Sequence, residues 1–586
     1  MSHKNYQLAF KATPVLLLIC VVLLGFFFRV TSLADKVFWV DEVATAVRVS
    51  GYTIAEVTSN LLQQNIVERD VLLSYQIVNL SRTFSDSLHA LTKSPEHAPL
   101  YFLFTRLWLQ WWGNSIATMR SLSVVFSLLT LPCLYWLCQE LFNRSQISWL
   151  AIGIMSISPF HVAYAQEARP YSLWTVTILL IGASFFRAIK LNTKSAWLLY
   201  SLCLIISFYT SLFSIYLALF QGLYLIFKIN KHQLSVVRNY LISCLITLIA
   251  FLPWILVIIN HLDLLRENTS WMRGNFNLAD IIAVYLGTNL LIFGDLPLSP
   301  NSNPVQIVLA LVVIVIVLLT AIKLYPLWQN RSLKLALILV VSIFTVIISK
   351  YINLDWTTII GALVAIGILT LSAYSLYYLI VNTKSDRWLY IICLILSLPL
   401  PLLVADIINQ GQSSTAPRYL IPLQLGILIA VAYTLGNKLN SQPSKFWQLI
   451  TIALLVLGTF SNIRNLSLSP FYQKGRNINN PAIAQIINQS NSALVIVEST
   501  EAMDAISLAY SLKPEVKYKI ITPQENLSFY LNQFAHVFLL KPTTQLKQRL
   551  NQDSQIKSQQ IYKSHVFSVN EFPLDLWSIE QVKNYK

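Results

Sequence analysis

Phe38-Trp39-Val40-Asp41-Glu42-Val43-Ala44-Thr45-Ala46 follows closely on an apolar run, Pro14 to Val30, that is long enough to cross about 30 Å of hydrocarbon. Two adjacent carboxylates therefore stand at the mouth of a membrane. Charge is costly at the edge of hydrocarbon, so ionisable groups there cap a helix, face water or carry function. The apolar run has the look of a secretory leader. However, no small-residue cleavage site follows it, and Phe26-Phe27-Phe28-Arg29 is a poor one, which predicts a retained helix.

The rest of the chain agrees. Of its 586 residues 55% are hydrophobic and 12% charged, and the mean hydropathy is +0.58. An α-helical polytopic membrane protein is expected. Cys20, Cys133, Cys138, Cys203, Cys244 and Cys393 all lie in hydrophobic segments without metal-ligand spacing and read as small core residues. The net charge of +16 raises the question of nucleic acid, but its placement answers it. Basic residues gather in short loops at Lys4 and Lys11, Arg144, Arg187 to Lys194, Lys228 to Arg238, Lys323 to Lys334, Lys384 and Arg387, and Lys438 and Lys445. Only Glu140 and Asp386 oppose them there. That bias marks cytoplasmic loops and records topology, with no nucleic-acid partner.

Pro99 to Trp112 is apolar but short, with Arg106 in its middle. Were it to cross, every later basic loop would change side. It is therefore expected to lie in plane at the outer interface, where Trp108, Trp111 and Trp112 suit the headgroups. The remaining runs predict about thirteen spans, near 13–30, 118–138, 147–163, 170–188, 195–209, 211–227, 240–260, 304–322, 333–350, 356–381, 388–405, 417–436 and 446–462. The N-terminus is then cytoplasmic and the C-terminus outside.

Two outer loops are long, 31–117 and 261–303. The first carries amphipathic stretches, Ile54, Val57 and Leu61 at helical spacing and Val71 to Leu80 apolar enough to lie on a membrane. The second reads as polar, with Arg266, Glu267, Trp271, Arg273 and Asp280. From about Asn465 the pattern changes. Short β-branched runs at Ala493–Glu498, Lys517–Ile521 and His536–Leu540 alternate with helical patterns at Ala502–Leu512, Glu525–Phe534 and Thr543–Leu550. A small α/β domain with a largely parallel sheet is expected over 465–586, outside the membrane, following a transmembrane domain over 1–464.

This topology sends four polar clusters to one face. They are Asp41-Glu42, His97-Ala98-Pro99-Leu100-Tyr101 with Met119-Arg120, Tyr164-Ala165-Gln166-Glu167-Ala168-Arg169-Pro170-Tyr171, and Ala416-Pro417-Arg418-Tyr419-Leu420. Each has a plain structural reading. The Asp-Glu pair caps a helix, His97 is a satisfied interfacial histidine, Arg120 snorkels, Glu167 and Arg169 pair with each other, and Arg418 anchors lipid. Together they also have a chemical logic. Sugar transfer from a lipid phosphate needs a carboxylate to take a hydroxyl proton and arginines to receive the phosphate charge.

The order and spacing of these motifs resemble the integral-membrane glycosyltransferases of the GT-C class. The superfamily is that of the protein O-mannosyltransferases and the aminoarabinose lipid A transferases, glycosyltransferase family 39-like. The resemblance covers nearly the whole chain and implies a GT-C fold. It implies an inverting transfer of a monosaccharide from a polyprenyl-phosphate donor, on the non-cytoplasmic side. By the same resemblance Asp41 matches the catalytic base, Glu42 its companion acid, and Glu167 a second acidic position that orients the acceptor or helps hold a divalent cation. Arg120, Arg169 and Arg418, with Tyr171, are candidates for the donor phosphate. His97, Tyr101, Gln166 and Tyr419 are further site candidates. Ala98 departs from the family, which usually has proline there, and this weakens the place of His97. Metal dependence varies within the superfamily, and the sequence holds no decisive ligand cluster, so a divalent cation stays open.

The expected protein is thus a glycosyltransferase of the bacterial plasma membrane, working at the periplasmic face on a lipid, glycan or protein acceptor. The alternatives are a transporter or flippase of lipid-linked saccharides, expected to bury charges at mid-membrane in repeated bundles, and a polymerase or ligase of such saccharides.

Overall fold

The computed structural model describes residues 2–228, 234–296, 356–383, 386–441, 445–468, 475–564 and 574–582. The chain opens with α1 (Ser2–Val30). The first loop then folds into α2 (Val40–Val49), α3 (Ile54–Gln63), α4 (Arg69–Ser74), α5 (Phe84–Thr92) and α6 (Leu100–Trp112). The membrane bundle continues through α7 (Ile116–Phe142), α8 (Ser145–Ile157), α9 (Pro159–Ala165), α10 (Tyr171–Leu191), α11 (Lys194–Thr210), α12 (Ser214–Lys228) and α13 (Leu234–Asn260). After α14 (Leu262–Asn268) and α15 (Leu278–Phe293) come the helices Trp356–Asn382, Arg387–Leu396, Pro399–Asn409, Ile421–Ser441 and Lys445–Ser467.

Among the described residues seven helical stretches are long and apolar enough to cross a membrane, and the bent pair α8–α9 makes an eighth if it is one span. Val15–Val30, α11, α12 and α15 are shorter apolar helices. The chain is a multi-pass membrane protein. The expected spans 304–322 and 333–350 lie outside the described residues; each of the others falls on described helix. At 13 residues, α6 is about 20 Å long, too short to cross.

One expectation needs correction. The loop 261–303 is not simply polar, because its residues 278–293 form α15, which packs against α9 and the helix Ile421–Ser441. Asp280 and Asn289 interrupt the apolar run, and 16 residues fall short of a span, so length alone hid it.

The α8–α9 break bends the chain by 61° at Ser158, whose extended backbone is what a following proline demands. The bend frees carbonyls at the end of α8. Buried Arg29 satisfies them, donating to Met155 O at 3.0 Å and to Ser156 O, and also to Ser127 Oγ at 2.9 Å. Along α7 the two ends are chemically distinct. Near its start Arg120 enters the candidate site. Some twenty residues on, about 30 Å away, Glu140 meets Arg187 at 3.4 Å and Arg387 bonds to Leu141 O. Arg187 and Arg387 therefore sit at the opposite end of the bundle from the acidic pair.

The C-terminal α/β region carries a six-stranded sheet in the order β1-β3-β2-β4-β6-β5. Its strands are β1 (Val67–Glu68), β2 (Ala493–Glu498), β3 (Lys517–Ile521), β4 (His536–Leu540), β5 (Ile556–Tyr562) and β6 (Leu576–Gln581). The expectation of a largely parallel sheet holds for the centre alone, where β2 pairs in parallel with β3 and β4. The flanking pairs are antiparallel. Edge strand β5, Ile-Lys-Ser-Gln-Gln-Ile-Tyr, is too polar to register as an apolar run. Alternation divides β2 between two cores. Val495 and Val497 join the large cluster that continues into the membrane helices, whereas Leu494 and Ile496 belong to a smaller one.

The first loop contributes to this region, while Ile77 and Leu80 of the stretch Val71–Leu80 stay exposed. β1 extends the sheet from the loop. Val57 and Leu61 of α3 are fully buried, and α3 packs on β3. In the stretch Val71–Leu80, Leu72, Tyr75 and Val78 are buried, and α4 packs on the helix Ala502–Ala509. Their apolar faces found a protein partner, a choice that amphipathicity alone does not make.

Candidate active site

α2 begins at Val40, after Trp39 in extended conformation at the N-cap. Asp41 and Glu42 occupy its first turn, where the helix dipole favours negative charge. Successive residues on a helix diverge by about 100°, so the adjacent carboxylates face different worlds.

Glu42 points inward and is fully buried with Arg120. It accepts from Arg120 Nε at 2.8 Å, Arg120 Nη2 at 2.6 Å and the Ala168 backbone at 2.8 Å. The other guanidinium hydrogens of Arg120 go to Leu33 O, Lys36 O and Val37 O at 2.7, 3.1 and 2.9 Å. All five donors of Arg120 are thereby used. This corrects two expectations. Arg120 has nothing left for a donor phosphate and does not snorkel, and Glu42 is no companion acid at the open face. The pair is a brace tying α2, α7 and the 33–37 turn to the 166–169 turn.

Asp41 points the other way, with its side chain 29% exposed. Arg169 Nη2 lies 3.8 Å from its Oδ2, while Arg169 Nη1 donates to Thr45 Oγ1 at 2.9 Å and Asp41 O at 3.3 Å. Thr45, one turn along, presents the same face of α2. Burial pushes the Asp41 carboxyl up. The guanidiniums of Arg169, Arg418, Arg476 and Arg48 outweigh that and hold it below its ordinary value.

Arg418 stands in an aromatic frame. Its guanidinium carbon is 5.3 Å from the Tyr419 ring centre, 5.7 Å from Trp271 and 6.0 Å from Trp39. Arg169 similarly lies 5.9 Å from the Tyr171 ring. The Nε atoms of both Arg169 and Arg418 are buried without a hydrogen-bond partner. Two cations with unspent donors beside a partly exposed carboxylate make a ready anion receptor.

The loop that carries Arg418 is itself held. Asp406 accepts from Ser413 N, Ser413 Oγ and Ser414 N at 2.7, 2.6 and 2.7 Å. Gln412 clasps the 271–272 backbone through Met272 O at 2.9 Å and Trp271 O at 2.8 Å.

The remaining candidates divide. Glu167 is buried and accepts from Trp39 Nε1 at 3.1 Å. Gln166 donates to Phe28 O and Thr31 O at 2.7 and 2.8 Å, closing the end of α1. Tyr101 is fully buried on Ser123 Oγ at 2.8 Å. Both are scaffold. His97 lies 3.5 Å from Glu96. Burial, then Arg48, Arg169 and Arg418, push its imidazole well below the ordinary value. Tyr419 packs edge-on against Phe213 at 4.6 Å and frames Arg418.

Among the described residues these carboxylates do not gather round a common point where a divalent cation would sit. Glu42 is spent on Arg120, Glu167 meets an indole N–H, and Asp41 faces guanidiniums rather than further oxygens. Among the described residues no three His, Cys, Asp or Glu side chains gather as ligands.

Sequence reasoning missed Arg48, Trp39, Trp271, Arg476 and Asn477. Arg48 stands seven positions after Asp41, on the same helical face, and that spacing was the available signal. Asn477 Oδ1 accepts from Val40 N at 2.8 Å across 437 residues, and no local signal marks it.

Comparisons with known proteins follow this geometry. Residues 96–257 match the family model described as dolichyl-phosphate-mannose-protein mannosyltransferase. No curated protein matches the chain. Among solved structures it is similar to ArnT from Cupriavidus metallidurans bound to undecaprenyl phosphate. That likeness has 12% identity and a TM-score of 0.38, over 96% of this chain and 97% of that one. It is also similar to the archaeal oligosaccharyltransferase AglB from Archaeoglobus fulgidus in complex with an inhibitory peptide and a dolichol-phosphate. There the identity is 11% and the TM-score 0.46, over 91% of this chain and 70% of that one. The matched stretch, under a third of the chain, includes His97, Arg120, Glu167 and Arg169.

Proposed function

We propose that the protein is an inverting glycosyltransferase that moves a monosaccharide from a polyprenyl-phosphate donor to a hydroxyl of a lipid, glycan or protein acceptor. The reaction takes place at the periplasmic face of a bacterial plasma membrane. The observation that carries this reading is the partly exposed Asp41 carboxylate beside Arg169 and Arg418, each with a buried, unpaired Nε. The positive-inside distribution supports the side, since Arg187 and Arg387 lie at the opposite end of α7.

In the proposed reaction the acceptor oxygen attacks the anomeric carbon while the bond to the donor phosphate breaks. Its proton passes to Asp41, and the phosphate leaves with the polyprenyl chain, its charge received by Arg169 and Arg418. A carboxylate depressed by four arginines is a poor base at rest. Donor phosphate seated between Arg169 and Arg418 draws their field away from Asp41 and adds negative charge beside it. Both effects raise the carboxyl, so the base strengthens when the donor is in place.

The test supplies the purified protein in lipid with labelled polyprenyl-phosphate sugars and a membrane extract, for wild type and Asp41→Asn. Label should leave the polyprenyl phosphate with wild type only, and the labelled product identifies the acceptor. Equal release by both proteins removes Asp41 from the chemistry.

A further inference from the structure

We propose that the C-terminal α/β region is a positioning element for Asp41, acting through Asn477. The Asn477 side chain, itself held by Asp504, fixes the first turn of α2 and so the direction in which the Asp41 carboxylate projects. This inference rests on the reading of Asp41 as the base.

The start of a helix leaves backbone N–H groups without partners, and a side-chain oxygen at the N-cap usually takes one. α2 has Trp39 there and no side-chain cap. The missing acceptor comes from Asn477, whose Oδ1 takes the Val40 N–H at 2.8 Å while its Nδ2 donates to Asp504 Oδ1 at 3.0 Å. Asn477 is fully buried. A backbone donor on one side and a carboxylate on the other allow only one orientation of its amide.

Asp504 is anchored in turn. It accepts from Arg476 Nε at 3.1 Å on each oxygen, and Arg476 Nη2 reaches Glu501 at 3.1 Å. Lys541 donates to Glu501 at 2.8 Å. Glu501 follows β2 and Lys541 follows β4, so this network springs from the carboxyl ends of the central parallel strands. Beside it, Ser507 Oγ donates to Phe38 O at 2.6 Å and Tyr510 meets the Phe38 ring edge-on at 5.0 Å. Residues 38–40 are thus gripped by the α/β region immediately before Asp41. Arg120 holds Glu42 immediately after it. Between two fixed neighbours, Asp41 is the one carboxylate of the turn directed to the open face.

The test uses the full chain in lipid nanodiscs with Asn477→Ala and the exchanged pair Asn477→Asp with Asp504→Asn. In the exchanged pair a carboxylate at 477 accepts the Val40 N–H and an amide at 504 donates to it. Hydrogen exchange of the peptide covering 38–43 reads the grip directly, whether or not turnover is observed. With Asn477→Ala it should exchange faster while α6 is unchanged. The kcat should fall about tenfold, equivalent to about 1.4 kcal/mol and in the range of a lost cap, with donor KM within about twofold. The exchanged pair should bring both readouts back toward wild type relative to Asn477→Ala, short of full recovery because an amide at 504 is a weaker partner for Arg476 than the carboxylate it replaces. Wild-type exchange in Asn477→Ala, or a raised donor KM at unchanged kcat, overturns the proposal. Should Asp41→Asn, run alongside, turn over like wild type, the reading of Asp41 as base fails, and with it the proposal that Asn477 positions a base. The exchange data would then still report whether Asn477 holds α2.

Discussion

Replacing Glu42 with glutamine separates the two adjacent carboxylates by consequence. The native side chain accepts three hydrogen bonds, two from Arg120 at 2.8 and 2.6 Å and one from Ala168 N at 2.8 Å, and both charged partners are fully buried. Glutamine keeps one oxygen and turns an NH2 group toward a guanidinium that can only donate. The guanidinium charge then stays buried without its counter-charge, which costs about 3–5 kcal/mol. At 1.36 kcal/mol per tenfold, that is a factor of more than about 100 in the folded-to-unfolded ratio. Asp41→Asn removes a partly exposed charge 3.8 Å from Arg169, a loss of about 1 kcal/mol or less. The assay is thermal melting of wild type and both variants in identical nanodiscs, with sugar transfer measured on the same samples. Glu42→Gln should melt far below the others and lose transfer in proportion to its folded fraction. Asp41→Asn should melt near wild type and be inactive. A Glu42→Gln protein that melts like wild type yet does not turn over would refute the brace and return Glu42 to the chemistry.

Two further outcomes follow from the site. The Asp41 carboxyl is held below its ordinary value. The pairing that holds it is therefore complete above the unfolded aspartate value and lost as pH falls through the lower folded one. The acid limb of kcat/KM should lie below the ordinary carboxylate range. The limb of kcat, measured with donor bound, should lie higher, and the reverse order contradicts the proposed coupling. Gly411→Ala places a methyl group 2.5 Å from Met272 O, a backbone atom that cannot turn aside. The two Gln412 bonds to 271–272 should break, at about 1 kcal/mol each. Donor KM is then expected to rise roughly tenfold as Trp271 leaves the face of Arg418; an unchanged KM would show that this wall does not hold the donor.

Much of the membrane architecture was legible because hydropathy and loop charge are local sums. The short helix α6 and the central strands β2, β3 and β4 needed no tertiary information. Where reading failed, the cause was non-local. Val57 and Leu61 carry an amphipathic stripe that fits lipid or protein equally well, and only the sheet beneath α3 decides between them. The polar edge strand β5 gains its order from pairing with β6, not from its own side chains. β1, two residues long, is a strand only because β3 lies beside it.

For the site, the sequence by itself determined that carboxylates and arginines gather at one end of the bundle. Spans alternate direction, and charge stays out of hydrocarbon. It could not say which of them face an open site. Asp41 and Glu42 are neighbours with the same chemistry. The turn of one helical residue sends Glu42 into Arg120 and leaves Asp41 between Arg169 and the open face. Arg120 looked like a phosphate ligand until its five donors were accounted for, and Asn477 gave no sign until α2 was seen to lack a cap of its own. A residue's type is set locally, but its direction and its spare hydrogen bonds are set by whatever packs against it, and that only the tertiary structure decided.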